Sequence, residues 1–355
     1  MRRVHKPVEV TADTMGFHRR SLVVDLHTDC LIAAKIGGLD LARRHPAPWG
    51  VTAPWMLHAD IPKLREGGVD AVFFGIVTHP WPHGAYARAL ANIDYAGYVL
   101  RKYSADLAFA GGPGGIEAAR RDGKIAVLLG VEGMHMLGGR LERIEELHGR
   151  GVRYITMAHF TSNRFVASSA DPFAGNARLG ARGAEAVEVM NGLGMLIDVA
   201  HTHTGVVADV CSMTSAPMIA SHTAAAAIKP VFRNMTDADI LAVAGTGGVI
   251  GVIYASNWLA GYRPIPHLEV VVDHADHIRK LVGVDHVALG SDWDGMIKTP
   301  DGMRDASDLP ALTQLFLDRG YDHDEVEKIL GLNFMRVFRE VCGADERVGP
   351  GPDRS

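Results

Sequence analysis

The sequence predicts an α/β protein, a (β/α)8 TIM barrel with C-terminal helices in a single domain. Three observations carry that prediction. Eight short apolar runs rich in β-branched residues alternate with helical segments, the pattern of a parallel sheet covered on both faces. Eight strands, in a chain of 355 residues, is the number that closes a barrel. Six of the eight runs end on His, Asp or Glu, and a closed barrel gathers all its C-terminal strand ends at one rim. A doubly wound open sheet is the competing architecture, but no Gly-x-Gly-x-x-Gly turn follows the first run.

The elements follow in order. Ser21 to Asp29 opens with an apolar run and closes on His27 and Asp29, which an extended chain points to one side. Residues 31 to 59 read as an irregular loop over that strand end, broken by Pro46, Pro48 and Pro54. Asp60 can cap a short helix with Pro62 in its first turn. Strands are predicted over 70–78, 125–132, 153–159, 194–201, 217–222, 247–254 and 286–292. Helices are predicted over 85–108, 141–147, 181–190, 205–213 and 268–281, with a capping box of Thr236 and Asp239 opening another. Two amphipathic segments, 308–319 and 324–341, finish the chain. The expected division is an N-terminal extension at 1–20, the barrel at 21–345 and a polar, frayed tail at 346–355.

Composition narrows the function classes. The chain is 47% hydrophobic and 22% charged, with a net charge of −5 and no basic block, so no nucleic-acid partner is expected. Cys30, Cys211 and Cys342 are widely spaced, which argues against a disulfide framework and against a cysteine-based zinc site. No apolar run reaches the roughly 18 residues of a membrane span, and Arg2, Arg3 and Lys6 precede no apolar signal segment. The expected location is the cytoplasm. Histidine stands out, with 18 copies, several at the ends of apolar runs.

Those ends are where chemistry is expected: His27 with Asp29, then Glu132, His159, His201, His222 and Asp292. Imidazole and carboxylate are zinc ligands, and hydrolytic zinc sites keep a position for water. The set suffices for two ions, with Glu132 the best bridge because its two oxygens can each reach one. Asp292 is better placed as a proton shuttle. Each residue also has a plainer reading. His27 and Asp29 fit a core histidine beside a helix cap; His203 competes with His201; His222 and either of Asp292 and Asp294 could cap a helix. Asp198 reads as a supporting partner, and Trp258 and Trp293 as lining. His135, His274, His277 and His323 read as solvated.

Taken together, VVDLHTD, LLGVEGMH, RYITMAHFTSN, LIDVAHTHT, PMIASHTAA, FRNMTD, VALGSDWDG and GLNFMRVF resemble the membrane (renal-type) dipeptidase family of the metal-dependent amidohydrolase superfamily. The resemblance runs from about Leu22 to Val341 and includes motif order and spacing. It implies two Zn2+ per chain, one held by His27 and Asp29, the other by His201 and His222, with Glu132 between them. It places the family's substrate-polarising histidine on His159 and its carboxylate-binding arginine on Arg233. The catalytic aspartate falls on Asp292, and a substrate-facing tyrosine on Tyr254. The implied reaction is hydrolysis of dipeptides, L-Xaa-L-Xaa and L-Xaa-D-Xaa, by a metal-bridging hydroxide, and homodimers are usual in the family. The chain departs from the best-known members between His159 and Gly180, where it lacks their Trp- and Pro-containing loop. Lactam or lactone hydrolysis, a non-catalytic metal-binding barrel, and a Cys30 nucleophile are the alternatives.

Overall fold

The first apolar run becomes β1 (Val24–Thr28), one strand of a sheet that closes on itself. The computed structural model describes residues 7–46, 56–80, 83–261 and 264–343; the tail expected at 346–355 lies outside them. The other strands are β2 (Ala71–Ile76), β3 (Leu107–Phe109), β4 (Ile125–Glu132), β5 (Val152–Thr156), β6 (Leu196–Asp198), β7 (Ile219–Thr223), β8 (Val249–Val252) and β9 (Val287–Leu289). Every pairing is parallel, and β2 pairs with β4 while β9 pairs back to β1. Eight strands thus form a closed (β/α)8 barrel, with β3 outside the ring.

Alternation along the strands sorts the core into two layers. Val24, Leu26, Phe73, Leu128, Tyr154 and Leu196 pack in the barrel interior, whereas Val23, Val72, Phe74, Val127, Leu129 and Ile197 pack against the helices outside. The helix Asn333–Cys342 closes the end of the barrel opposite the strand C-termini: its Phe334, Met335, Val337 and Phe338 join the interior layer. Phe334 meets Phe73 edge to face at 5.6 Å.

Three features differ from the sequence reading. The helix starting at Ala85 stops at Lys102, and Leu107 and Ala108, expected at its end, belong to β3. β5 pairs with β4 only from Leu129 onward, so the start of β4 has a free edge that Leu107–Phe109 fills. The backbone bonds of that edge outweigh a last helical turn. Residues 31–37, expected as irregular loop, belong to the helix Cys30–Gly37, which packs against β2. Residues 12–20 of the stretch set apart as an extension form a capped helix docked on the helix Leu309–Asp318.

Candidate metal centre

The strand C-termini bring their polar residues to one place. Glu132 ends β4 with its side chain inside the barrel, 3% exposed. Its Oε1 lies 3.1 Å from His201 Nε2 and 3.2 Å from His222 Nε2. Its Oε2 lies 3.5 Å from His159 Nε2 and 3.9 Å from His27 Nε2. His27 Nε2 is in turn 3.5 Å from Asp29 Oδ1. The two carboxylate oxygens are therefore divided between two groups of ligand atoms.

Local irregularity aims these side chains. Val24 and Leu26 face inward, so strict alternation would send His27 outward; a register shift between Asp25 and Thr28 turns it in. A matching shift between Ala220 and Thr223 serves His222 in β7. His201 and Asp292 hold left-handed backbone at φ 61° and 62°, which costs non-glycine residues on the order of 1–3 kcal/mol and is tolerated where the surroundings fix it. Asp29 occupies the N-cap position of Cys30–Gly37 yet makes no side-chain cap bond. Its carboxylate turns to His27 instead.

A supporting layer fixes the ring orientations. His27 Nδ1 lies 2.6 Å from the Tyr154 hydroxyl. The Tyr154 ring spans the barrel interior only because Gly130 opposite it has no Cβ to collide with. His222 Nδ1 lies 2.7 Å from Ser221 Oγ, which donates to Asp198 Oδ2 at 2.7 Å. Such contacts leave Nε2 of each imidazole as the ligand atom. Gly75 serves the same end by omission, since a Cβ there would strike Asp29 Oδ1.

The donor set fits divalent cations. His27 Nε2 and Asp29 Oδ1 are buried without a hydrogen-bond partner, an arrangement that a cation between them would relieve. The His201–His222 Nε2 separation of 3.1 Å is close to the roughly 3.3 Å edge of a tetrahedron with metal–nitrogen bonds of ~2.0–2.1 Å. Three overlapping groups of ligand atoms lie within 4.8 Å: His27, Asp29, Glu132; Glu132, His159, His201; and His27, His222, Asp292.

Electrostatics follows from burial. For Glu132, desolvation raises the carboxyl, but the facing charges of His159 and His27 and hydrogen bonds from His201 and His222 outweigh it and hold it well below the usual range. Burial pushes Asp292 well above that range; the His27 charge opposes this while Asp29 and Glu132 reinforce it. Burial likewise keeps His201 and His222 well below the ordinary imidazole value, in the neutral form that ligates metal.

Over the cluster lies a cavity of about 220 Å³ lined by Asp29, Glu132, His159, His201, Arg233 and Asp292 together with Phe160, Asn257, Trp258, Gly295, Met296 and Ile297. Arg233 is 3% exposed; its Nη2 donates to the His222 carbonyl at 2.6 Å and its Nη1 is buried without a partner. The family model "Membrane dipeptidase (Peptidase family M19)" matches residues 12–348, nearly the whole chain. The chain belongs to the membrane dipeptidase family. Among relatives, "Dipeptidase tcpJ" of Claviceps purpurea is 32% identical over 295 residues, 80% of this chain and 69% of that protein. "Dipeptidase verJ" of Clonostachys rogersoniana is 31% identical over 298 residues, 80% of this chain and 76% of that protein. In fold, the chain is similar to the "probable dipeptidase PvdM" of Pseudomonas aeruginosa, with TM-score 0.81 and 22% identity over 93% of this chain and 98% of that one. Membership in the family supports hydrolysis of small peptides, and the clustered ligands point to metal dependence.

Several residues sit where the sequence reading did not put them. Tyr254 is absent from the cavity lining; it is fully buried, packed edge to face on Trp293 at 5.2 Å. Trp293, expected as lining, is fully buried beneath it, whereas Trp258 does line the cavity. His203 caps the helix Thr204–Met213 by accepting from the Gly205 N–H, leaving His201 to the cluster. Asp294 accepts from the His58 N–H at 2.7 Å, away from Asp292. His135 and His274, expected in solvent, are buried: His135 lies 3.1 Å from Thr78 Oγ1, and His274 accepts from the Ala225 N–H. Burial lowers His135 to about 4, with the His159 charge adding to it. Tyr154, Ser221, Gly75 and Gly130 support the site and were not singled out in the sequence. Only the aromatic at 154 and the glycine within each apolar run hinted at them.

Proposed function

We propose that the chain is a binuclear zinc dipeptidase that cleaves L-Xaa-L-Xaa and L-Xaa-D-Xaa dipeptides in the cytoplasm. The observation that carries the reading is the division of Glu132, one oxygen toward His201 and His222 and the other toward His27 and His159, beneath a cavity containing Arg233. His27, Asp29 and Glu132 would hold one ion, and Glu132, His201 and His222 the other. Two ions so placed supply Lewis acidity, lowering the pKa of water toward neutrality and polarising a carbonyl.

The remaining work falls to side chains. Arg233 pairs its free Nη1 with the substrate's C-terminal carboxylate, which fixes the position of the scissile carbonyl and limits substrate length. His159, at the cavity wall with its Nε2 near Glu132, donates to the developing oxyanion. Asp292, on the same cavity, takes the proton from water and passes it to the leaving amine. The three free thiols are in keeping with a reducing compartment. Among the described residues no helix is long and apolar enough to cross a membrane.

Metal analysis of the purified protein, combined with a library of L,L and L,D dipeptides, tests the reading. The expected result is zinc near two per chain and hydrolysis of members of both sets. Two bound metals with no cleavage of any dipeptide would overturn the assignment.

A further inference from the structure

The cavity is divided by depth. Its ionisable residues lie at the bottom, with Glu132 and Arg233 each 3% exposed. Its outer wall is apolar: Phe160 is 47% exposed and Met296 70% exposed, entering from different strand ends, after β5 and after β9. Trp258 joins them from the β8 side, backed by Phe232 at 5.3 Å. Among the described lining residues, none outside the ligand cluster and Arg233 carries a charge.

Phe160 is held by ring contacts, and the backbone at Met296 is set by a turn. The Phe160 ring lies 4.5 Å from the His159 ring and 5.1 Å, edge to face, from the His201 ring. Met296 sits on left-handed backbone, φ 55°, in the turn that follows Asp292. Large apolar surface at the mouth of a site gains free energy only when something covers it.

We propose that Phe160 and Met296 select dipeptides bearing a large apolar side chain over those bearing small or charged ones. This rests on the dipeptidase reading and adds the substrate class to it. With the carboxylate on Arg233 and the carbonyl over the ligand cluster, the floor is filled by polar groups. Substrate side chains therefore project to the mouth, against Phe160 and Met296. A charged side chain there loses water and meets no opposite charge.

The test compares kcat/KM for Gly-Gly, Leu-Leu and Lys-Lys in the zinc-loaded wild type and in F160A, M296A and F160L. Leu-Leu is expected to exceed both others by about tenfold or more in the wild type. F160A and M296A should each cut that preference by about threefold or more, mainly through KM, while F160L retains it. A merely structural role would change all three substrates in proportion. That outcome, or a wild type that hydrolyses all three equally well, overturns the inference and leaves the dipeptidase reading standing. Hydrolysis of none of the three overturns both.

Discussion

Asp292 and Glu132 lie in the same cavity, but their neighbours give them different work. Glu132 has an imidazole nitrogen within 4 Å of each oxygen, so its removal strips both groups of ligand atoms of their common member. E132Q is expected to lower bound zinc from the proposed two per chain to one or none, read by elemental analysis. Asp292 shares its ligand group with His27 and His222 and lines the cavity. For D292N the expected outcome is retained zinc with kcat reduced by about 10²–10⁴-fold, the range of a lost general acid–base. Arg233 has one nitrogen committed to the His222 carbonyl and one uncommitted. R233M should raise KM for dipeptides by about tenfold or more while sparing an ester or amide without the terminal carboxylate. Equal losses on both substrates would count against a carboxylate clamp.

At the level of the element, a β-strand delivers a ligand through what it lacks as well as what it carries. Gly75 in β2 leaves room for the Asp29 carboxylate, with His27 Cε1 3.1 Å from where a Cβ would stand. Its backbone is ordinary strand, so alanine adds a clash and no strain. G75A is expected to keep the Tm of the zinc-free protein within a few degrees of the wild type yet weaken zinc binding by about 10–100-fold, the usual cost of disturbing a ligand's support. Titration of the zinc-free protein with zinc reads that shift. The helix Asn333–Cys342 works from the other end. Phe334 and Phe338 are buried in the barrel interior and stacked at 5.2 Å. F334A should lower the unfolding free energy by about 3–5 kcal/mol, measured by denaturant titration. Zinc per folded chain should stay the same.

The whole molecule joins the two ends of that design. Ligand atoms come from strand ends spread over β1, β4, β6 and β7, so a bound cation ties together elements far apart in sequence. A ligand that binds only the folded state stabilises it by mass action. Chelator treatment is therefore expected to lower Tm by several degrees in the wild type, since each site at a zinc concentration 100-fold above Kd contributes about 3 kcal/mol of stability. The shift should be much smaller in E132Q. An identical shift in both proteins would place the stabilising cation elsewhere.

How much of this was legible in the amino-acid order depends on range. Fold class was readable because barrel strands are short, apolar and buried on both faces, a signal local to each run. His27, Asp29, Glu132, His159, His201, His222 and Asp292 could be named because each closes or immediately follows such a run, and barrel closure converts that position into proximity. β3 was not readable, since three apolar residues choose strand over helix only when β4 offers a free edge. Burial of His135, His274 and Trp293 was equally hidden, because each depends on what distant segments pack over it. The sequence by itself determined the barrel and the set of residues at its rim. Tertiary structure alone decided how the oxygens of Glu132 are shared, that Tyr254 is sealed in the core, and that Gly75 and Gly130 make the room. Those are questions of which atoms meet within a few ångströms, and packing between segments distant in sequence settles them.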